Sequence, residues 1–200
     1  MPPTTATERD LWNRGYRLVA GVDEAGRGCL AGPVVAAAVI LPPEAAIPGL
    51  DDSKKLSPAR REALLSTIQA EAVALGVGLC SPAEIDRMNI LWAALEAMRR
   101  AVAALTPSPD YLLIDGNRCF PHCTYPFTTL VRGDARSRSI AAASIVAKTT
   151  RDRIMHDLDH HFPQYGWRRN AGYPTRDHYE ALAAHGPTPL HRRSFRLSRD

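Results

Sequence analysis

Val22-Asp23-Glu24-Ala25-Gly26-Arg27-Gly28-Cys29-Leu30-Ala31-Gly32-Pro33-Val34-Val35-Ala36 sets two adjacent acids at the end of one apolar run and a glycine-bearing turn before the next. Upstream, Arg17 to Asp23 alternates as a strand does. Downstream, Ala31 to Leu41 is small, β-branched and uninterrupted after Pro33, so it too predicts a strand. The pattern Gly26-x-Gly28-x-x-Ala31 formally fits a relaxed dinucleotide fingerprint, which requires a helix whose N-terminus holds a pyrophosphate. Here a proline and a β-branched run follow, and no Gly-Lys-Ser/Thr closes a phosphate loop, so a nucleotide-cofactor enzyme is set aside.

Outward from this hairpin, Pro42, Pro43 and Pro48 mark a loop, and Ser57-Pro58 opens a helix running to about Ala74, with serine as N-cap and proline at the first helical position. Val73 to Cys80 reads as a short strand. Asn89 caps a helix with an apolar stripe of Leu91, Leu95, Met98 and Val102. Tyr111 to Ile114 is a strand ending at Asp115-Gly116, and Tyr125 to Val131 another ending at Gly133-Asp134. A long helix from about Arg138 to His160 follows, then a Pro-, Gly- and Arg-rich tail with a short helix near Thr175 to Ala184. This order predicts an α/β domain with a mixed sheet flanked by helices. We read residues 1–200 as one domain, with a sheet-and-helix core over about 17–160 and a helical and loop portion over about 161–200.

Asp23, Glu24, Asp115 and Asp134 thus all follow strands expected to be buried. A carboxylate beside a core strand costs free energy unless it is paired or binds a cation, and converging carboxylates repel one another. Hard divalent cations with oxygen ligands resolve that conflict and suit phosphodiester hydrolysis. Taken singly, Asp115-Gly116 and Gly133-Asp134 read equally as turns; the adjacent Asp23-Glu24 pair does not.

Composition is that of an ordinary globular protein, 45% hydrophobic and 23% charged, which excludes a disordered chain. The longest apolar run, Val34 to Leu41, is too short to span a bilayer, and the polar N-terminus lacks a signal-peptide layout, so a cytoplasmic protein without membrane partners is expected. Four cysteines make no disulfide framework, and Cys119-Phe-Pro-His-Cys123 reads as a loop with small buried thiols rather than a zinc site. The net charge of +4 is unevenly spread: 12 basic and 14 acidic residues in 1–130, 13 basic and 7 acidic in 131–200. That fits a polyanion-binding surface beside an acidic site, or equally an Arg-rich solvated face. On the long helix, Ser144, Lys148 and Arg151 fall on one stripe at i, i+4, i+7, and Ile140, Ala147, Ile154 and Leu158 on the apolar one. The polar stripe follows Asp134 and is a candidate for phosphates, with solvent-exposed charge as the alternative. Lys54, Lys55, Arg192 and Arg193 are further phosphate candidates.

Val22 to Ala36 resembles the N-terminal signature of bacterial ribonuclease HII. Asp52-Ser-Lys-Lys-Leu-Ser, Leu113-Ile-Asp-Gly-Asn, Gly133-Asp, Ile140-Ala-Ala-Ala-Ser-Ile-Val-Ala-Lys-Thr-Thr-Arg-Asp, Asn170-Ala-Gly-Tyr-Pro-Thr and Pro189-Leu-His-Arg-Arg-Ser-Phe resemble its later motifs in order, from about residue 17 to 195. The resemblance implies a ribonuclease H-like fold with a helical C-terminal portion and an acidic active site at Asp23, Glu24, Asp115 and Asp134 served by Mn²⁺ or Mg²⁺. It implies cleavage of the RNA strand of RNA–DNA hybrids and incision 5′ of ribonucleotides embedded in duplex DNA, leaving 5′-phosphate and 3′-hydroxyl ends. It further implies ribose sensing by Gly26, Arg27, Gly28 and Tyr173, and favours Lys54 over Lys55 at the substrate. His191 lies in the last motif but reads as a loop hydrogen-bonding residue. Some family members carry a longer C-terminal helical extension than the stretch after Phe195, a departure that bears on duplex affinity more than on chemistry. A monomer is expected. Two rivals remain: a carboxylate-cluster nuclease or strand-transfer enzyme on the same fold, and a non-catalytic nucleic-acid-binding module.

Overall fold

The alternation that begins after Arg17 becomes strand β1 (Val19–Ala25) and the run after Pro33 becomes β2 (Val34–Ile40), in a computed structural model that describes residues 2–198. The two pair antiparallel, with Asp23 opposite Ala37. β3 (Ala74–Cys80) adds antiparallel to β2, while β4 (Tyr111–Asp115) and β5 (Phe127–Leu130) add in parallel beyond β1. The resulting order is β3-β2-β1-β4-β5, the mixed sheet expected.

Seven helices are seen among the described residues: α1 (Ala6–Asn13), α2 (Pro58–Glu71), α3 (Pro82–Met88), α4 (Ile90–Ala103), α5 (Arg138–Asp159), α6 (Trp167–Asn170) and α7 (Arg176–His185). The two caps read from sequence form: Ser57 Oγ accepts from Arg60 N–H, and Asn89 Oδ1 from the N–H groups of Leu91 and Trp92. Thr175, read as the start of the last helix, is its N-cap, with Oγ1 accepting from His178 N–H. β2 is buried along its whole length because helices cover both faces of the sheet. Ala36, Ala38 and Ile40 pack with Leu95, Met98 and Val102 of α4, whereas Ala37 and Val39 pack with Leu64 and Ile68 of α2 and Ala143 and Ala147 of α5. Each fully buried leucine or isoleucine contributes roughly 1.5–3 kcal/mol relative to exposure. A Cβ at Gly21 would lie 2.1 Å from the Ser139 carbonyl carbon, so glycine there lets the start of α5 cross directly over β1.

Several boundaries differ from the sequence reading. α2 stops at Glu71, three residues before Ala74, and β5 begins at Phe127 rather than Tyr125. α1 and α3 were not expected. α3 carries a capping box, Ser81 Oγ accepting from Glu84 N–H and Glu84 Oε2 accepting from Ser81 N–H at 2.8 Å, but it is only seven residues long and has little periodicity to read. The tail folds back over the turn after β1. Arg192 N–H donates to Leu30 O at 2.8 Å and Gly32 N–H to Leu190 O at 2.9 Å, over a small core of Leu30, Ala31, Met155, Tyr165, Trp167 and Leu182. No described helix is long and apolar enough to cross a membrane.

Candidate active site

Parallel pairing of β1 with β4 sets Val22 opposite Ile114, so the next residues, Asp23 and Asp115, arrive at the same end of neighbouring strands. β5 runs parallel beside β4, and the 3-10 turn Gly133–Ala135 that follows it carries Asp134. Asp115 Oδ1 accepts the Gly133 N–H at 2.6 Å, tying the third acidic segment to the second. Glu24 completes the group and pairs with Arg27 at 3.1 Å. Asp23 and Asp134 are 6% and 7% exposed, so both are withdrawn from bulk water.

The electrostatics show how near these groups lie. Burial, then the charges of Glu24 and Asp115, push the Asp23 carboxyl well above the usual carboxylate range, and a hydrogen bond from Ser144 works the other way. Burial raises Glu24 too, against the pull of Arg27 and with a further push from Asp115. Asp134 is raised by burial and by the charges of Asp52 and Asp115. Among the described residues no three carboxylate, imidazole or thiol groups are drawn tightly enough to form a finished metal cage. The donor set nevertheless fits a divalent cation: hard oxygen atoms on rigid strand ends, whose mutual repulsion a cation would relieve.

A model of the family described as ribonuclease HII matches residues 20–198. The chain belongs to the ribonuclease HII family. A ribonuclease HII of Salinibacter ruber is 58% identical over 196 residues, which cover 96% of this chain and 98% of that one. Among solved structures, ribonuclease H2 of Pyrococcus horikoshii superposes with a TM-score of 0.74 at 30% identity, over 90% of this chain and 94% of that one. Ribonuclease HII of Archaeoglobus fulgidus, solved in complex with PCNA, gives 0.77 at 28% identity over 92% and 97%. As a ribonuclease HII the chain is an endoribonuclease, a hydrolase of a family that acts on RNA–DNA hybrids, and its sheet is ribonuclease H-like. The two rivals raised by the sequence, a different nuclease on the same fold and a non-catalytic module, give way to this assignment.

Beside the acids of this ribonuclease HII lies a cavity of about 190 Å³ lined by Glu24, Gly26, Arg27, Gly28, Ser53, Lys54, Ser144, Lys148 and Tyr173 among others. Seven residues singled out from sequence as substrate contacts therefore share one wall. Lys54 faces the acids: burial works against its charge, but Asp52, Asp23, Asp134 and Asp115 together raise its pKa. Lys55 turns away into an ion pair with Asp51 at 2.9 Å. Lys148 pairs with Asp152 at 2.6 Å and sits 5.3 Å from the Tyr173 ring centre. Ser144 is nearly buried, its Oγ 2.9 Å from Ser53 Oγ, and serves Asp23 rather than open solvent.

Arg151 is corrected. Its side chain is fully buried, donating to Pro33 O at 2.9 Å, Ala171 O at 2.8 Å and Ala31 O at 3.0 Å, so it has no guanidinium edge left for a phosphate. Helical spacing places Lys148 and Arg151 on one stripe, but the tail covers the Arg151 end of it. Arg192 is corrected for the same reason, being fully buried against the 26–32 turn, while Arg193 stays exposed. Asp52 was missed as a neighbour of Asp134. Its place beside Lys54 in the Asp52-Ser-Lys-Lys motif was the available signal. His191 is buried and hydrogen-bonded within the tail.

Proposed function

We propose that the chain is a divalent-metal-dependent ribonuclease that cuts the RNA strand of RNA–DNA hybrids and incises 5′ of a ribonucleotide embedded in duplex DNA, leaving 5′-phosphate and 3′-hydroxyl ends. The observation that carries this is the parallel register that lands Asp23 and Asp115 side by side, with Asp134 tied to Asp115 through Gly133. Asp23, Glu24, Asp115 and Asp134 would hold Mn²⁺ or Mg²⁺. Two such ions, when bound, supply an activated water and stabilise the leaving oxygen of the phosphodiester.

The chain's own groups prepare that chemistry. Ser144 orients the Asp23 carboxylate, and Arg27 holds Glu24 at the mouth of the cavity. Lys54 brings a cation toward a site that would otherwise carry four negative charges, and is placed to meet a phosphate. The Gly26-Arg27-Gly28 turn and Tyr173 form the wall against which a ribose would sit, where glycine permits close approach and the 2′-hydroxyl distinguishes RNA from DNA. We read the enzyme as a cytoplasmic monomer.

The test is cutting of a DNA duplex carrying a single ribonucleotide, with Mn²⁺, Mg²⁺ or chelator present and the break mapped to the nucleotide. A cut on the 5′ side of the ribonucleotide that vanishes with chelator is expected. Equal cutting of an all-DNA duplex would defeat the ribose reading.

A further inference from the structure

Arg151 and Arg192 are long cations, both wholly buried, and neither has a carboxylate partner among the described residues. Burying a guanidinium without an anion is expensive, and a leucine or methionine would fill the same space more cheaply. What compensates is a set of six backbone carbonyls. Arg192 donates to Gly26 O at 2.7 Å, Arg27 O at 3.0 Å and Gly32 O at 3.0 Å, gripping both ends of the turn after β1. Arg151 donates to Ala31 O within that turn and Pro33 O just beyond it, and to Ala171 O two residues before Tyr173. The same Arg151 side chain is the floor under Gly26, where a Cβ would lie 2.0 Å from its Nε, and its Cζ stands 5.9 Å from the Tyr173 ring centre. Leu30 N–H donates to Gly172 O at 2.8 Å, joining the two segments once more.

We propose that Arg192 and Arg151 are positioning residues that lock the Gly26–Gly28 turn and the Tyr173 segment into one sugar-reading face, and so set the discrimination between ribose and deoxyribose. The geometry of a trans peptide gives the reason: C=O and N–H point opposite ways. With the Gly26 and Arg27 carbonyls drawn inward by Arg192, the N–H groups of Arg27 and Gly28 turn outward, on the side that lines the cavity. Neither N–H donates to another described residue, so both are available to a sugar hydroxyl. This deepens the ribose-sensing role given above to the turn and to Tyr173, and rests on it.

The test measures dissociation constants, with Ca²⁺ in place of the catalytic ion, for a duplex with one ribonucleotide and for the all-DNA duplex of the same sequence. In Arg192→Ala the preference for the ribonucleotide duplex falls about tenfold, the worth of one lost hydrogen bond from a backbone N–H to the 2′-hydroxyl. Millimolar guanidinium chloride at constant ionic strength restores it by refilling the carbonyl-lined gap, which general loosening of the fold would not allow. Should Arg192→Ala prove unfolded by circular dichroism, Arg192→Lys carries the test, because an ammonium cannot span three carbonyls as the fork does. A folded variant of either kind with the wild-type preference overturns the clamp. A wild-type protein with no preference at all removes the ribose-sensing reading itself, and the clamp with it.

Discussion

Asp23 and Asp115 make the sharpest demand on the chain, since they come from neighbouring buried strands and the charge of Asp115 raises the cost of charging Asp23. Asn at either position keeps the shape and removes the charge that a cation would need. Asp23→Asn and Asp115→Asn are each expected to lower turnover on the order of a thousandfold, while duplex binding in Ca²⁺ survives. Single-turnover kinetics beside a binding assay would check this, and unchanged turnover in both variants would remove them from catalysis. The two glycines of the turn differ in kind. Gly26 has φ +95° and Arg151 beneath it, so Gly26→Ala should destabilise the fold. A Cβ at Gly28 meets nothing and its φ is ordinary, so packing gives no reason for glycine there. Gly28→Ala is therefore expected to melt at the wild-type temperature yet cut a ribonucleotide-bearing duplex more slowly. A normal rate in Gly28→Ala would show that nothing approaches that face.

At the scale of elements, α5 links the site to the rest of the molecule. Its first turn is capped from within by Ser137 and from outside by α1: Glu8 Oε1 accepts from Ser137 Oγ at 2.6 Å and from Ser139 N–H at 2.9 Å. A carboxylate at that end suits the helix dipole. α1 precedes the stretch that the family model matches, while Ser137 and Ser139 lie within it. At the other end, α6, α7 and the tail meet in a buried imidazole pair. Tyr173 O only accepts, so His178 Nδ1 carries a proton. Thr188 N–H donates to His191 Nδ1, so the His191 proton sits on Nε2 and points to His178 Nε2 at 3.1 Å. Trp167 Nε1–H donates to that same His178 nitrogen. The pair is thereby held neutral, and burial followed by the neighbouring His178 pushes His191 down to about 4. A histidine depressed in the fold from an ordinary value of about 6.5 stabilises above that value and loses its contribution as pH falls from there toward about 4. Because Asp23, Glu24 and Asp134 are raised and work in the opposite sense over the same range, the readout is the difference between wild type and His191→Asn. Urea unfolding at these two pH values should show the wild type losing up to about 3 kcal/mol more on acidification than the variant. The same pH profile in both proteins would contradict the neutral assignment.

For the whole molecule, charge and architecture meet at one surface. The basic excess of residues 131–200 does not all face outward, because Arg151 and Arg192 are spent inside. Within that stretch Lys148 lines the cavity and Arg193 is exposed, and Lys54 joins the same cavity wall from outside it; these are the cations we propose for the polyanion. Lys148→Ala is expected to weaken binding to every duplex sequence alike and to reduce the salt slope of the affinity by about one. A loss confined to some sequences would argue against a phosphate contact.

The order of strands and the helix caps at Ser57 and Asn89 were readable from local chemistry, because each depends on residues within a turn or two of one another. The placing of Asp23, Glu24 and Asp115 after buried strands was readable in the same way, and the ordered motifs pointed to the family; the strand before Asp134 was expected to be buried too, but β5 is an edge strand with Phe127 exposed. Which β-strands lie side by side was not. The neighbourhood of Asp23 and Asp115 depends on a parallel pairing between segments about ninety residues apart in sequence, which no local pattern specifies. The fate of the arginines was equally out of reach. Helical periodicity assigns Arg151 to a stripe, and only the folded tail decides that the stripe is covered and that six carbonyls, rather than phosphates, receive the two guanidinium groups. Sequence determines what each residue is able to bond; the tertiary fold alone decides which partner reaches it first and whether water remains.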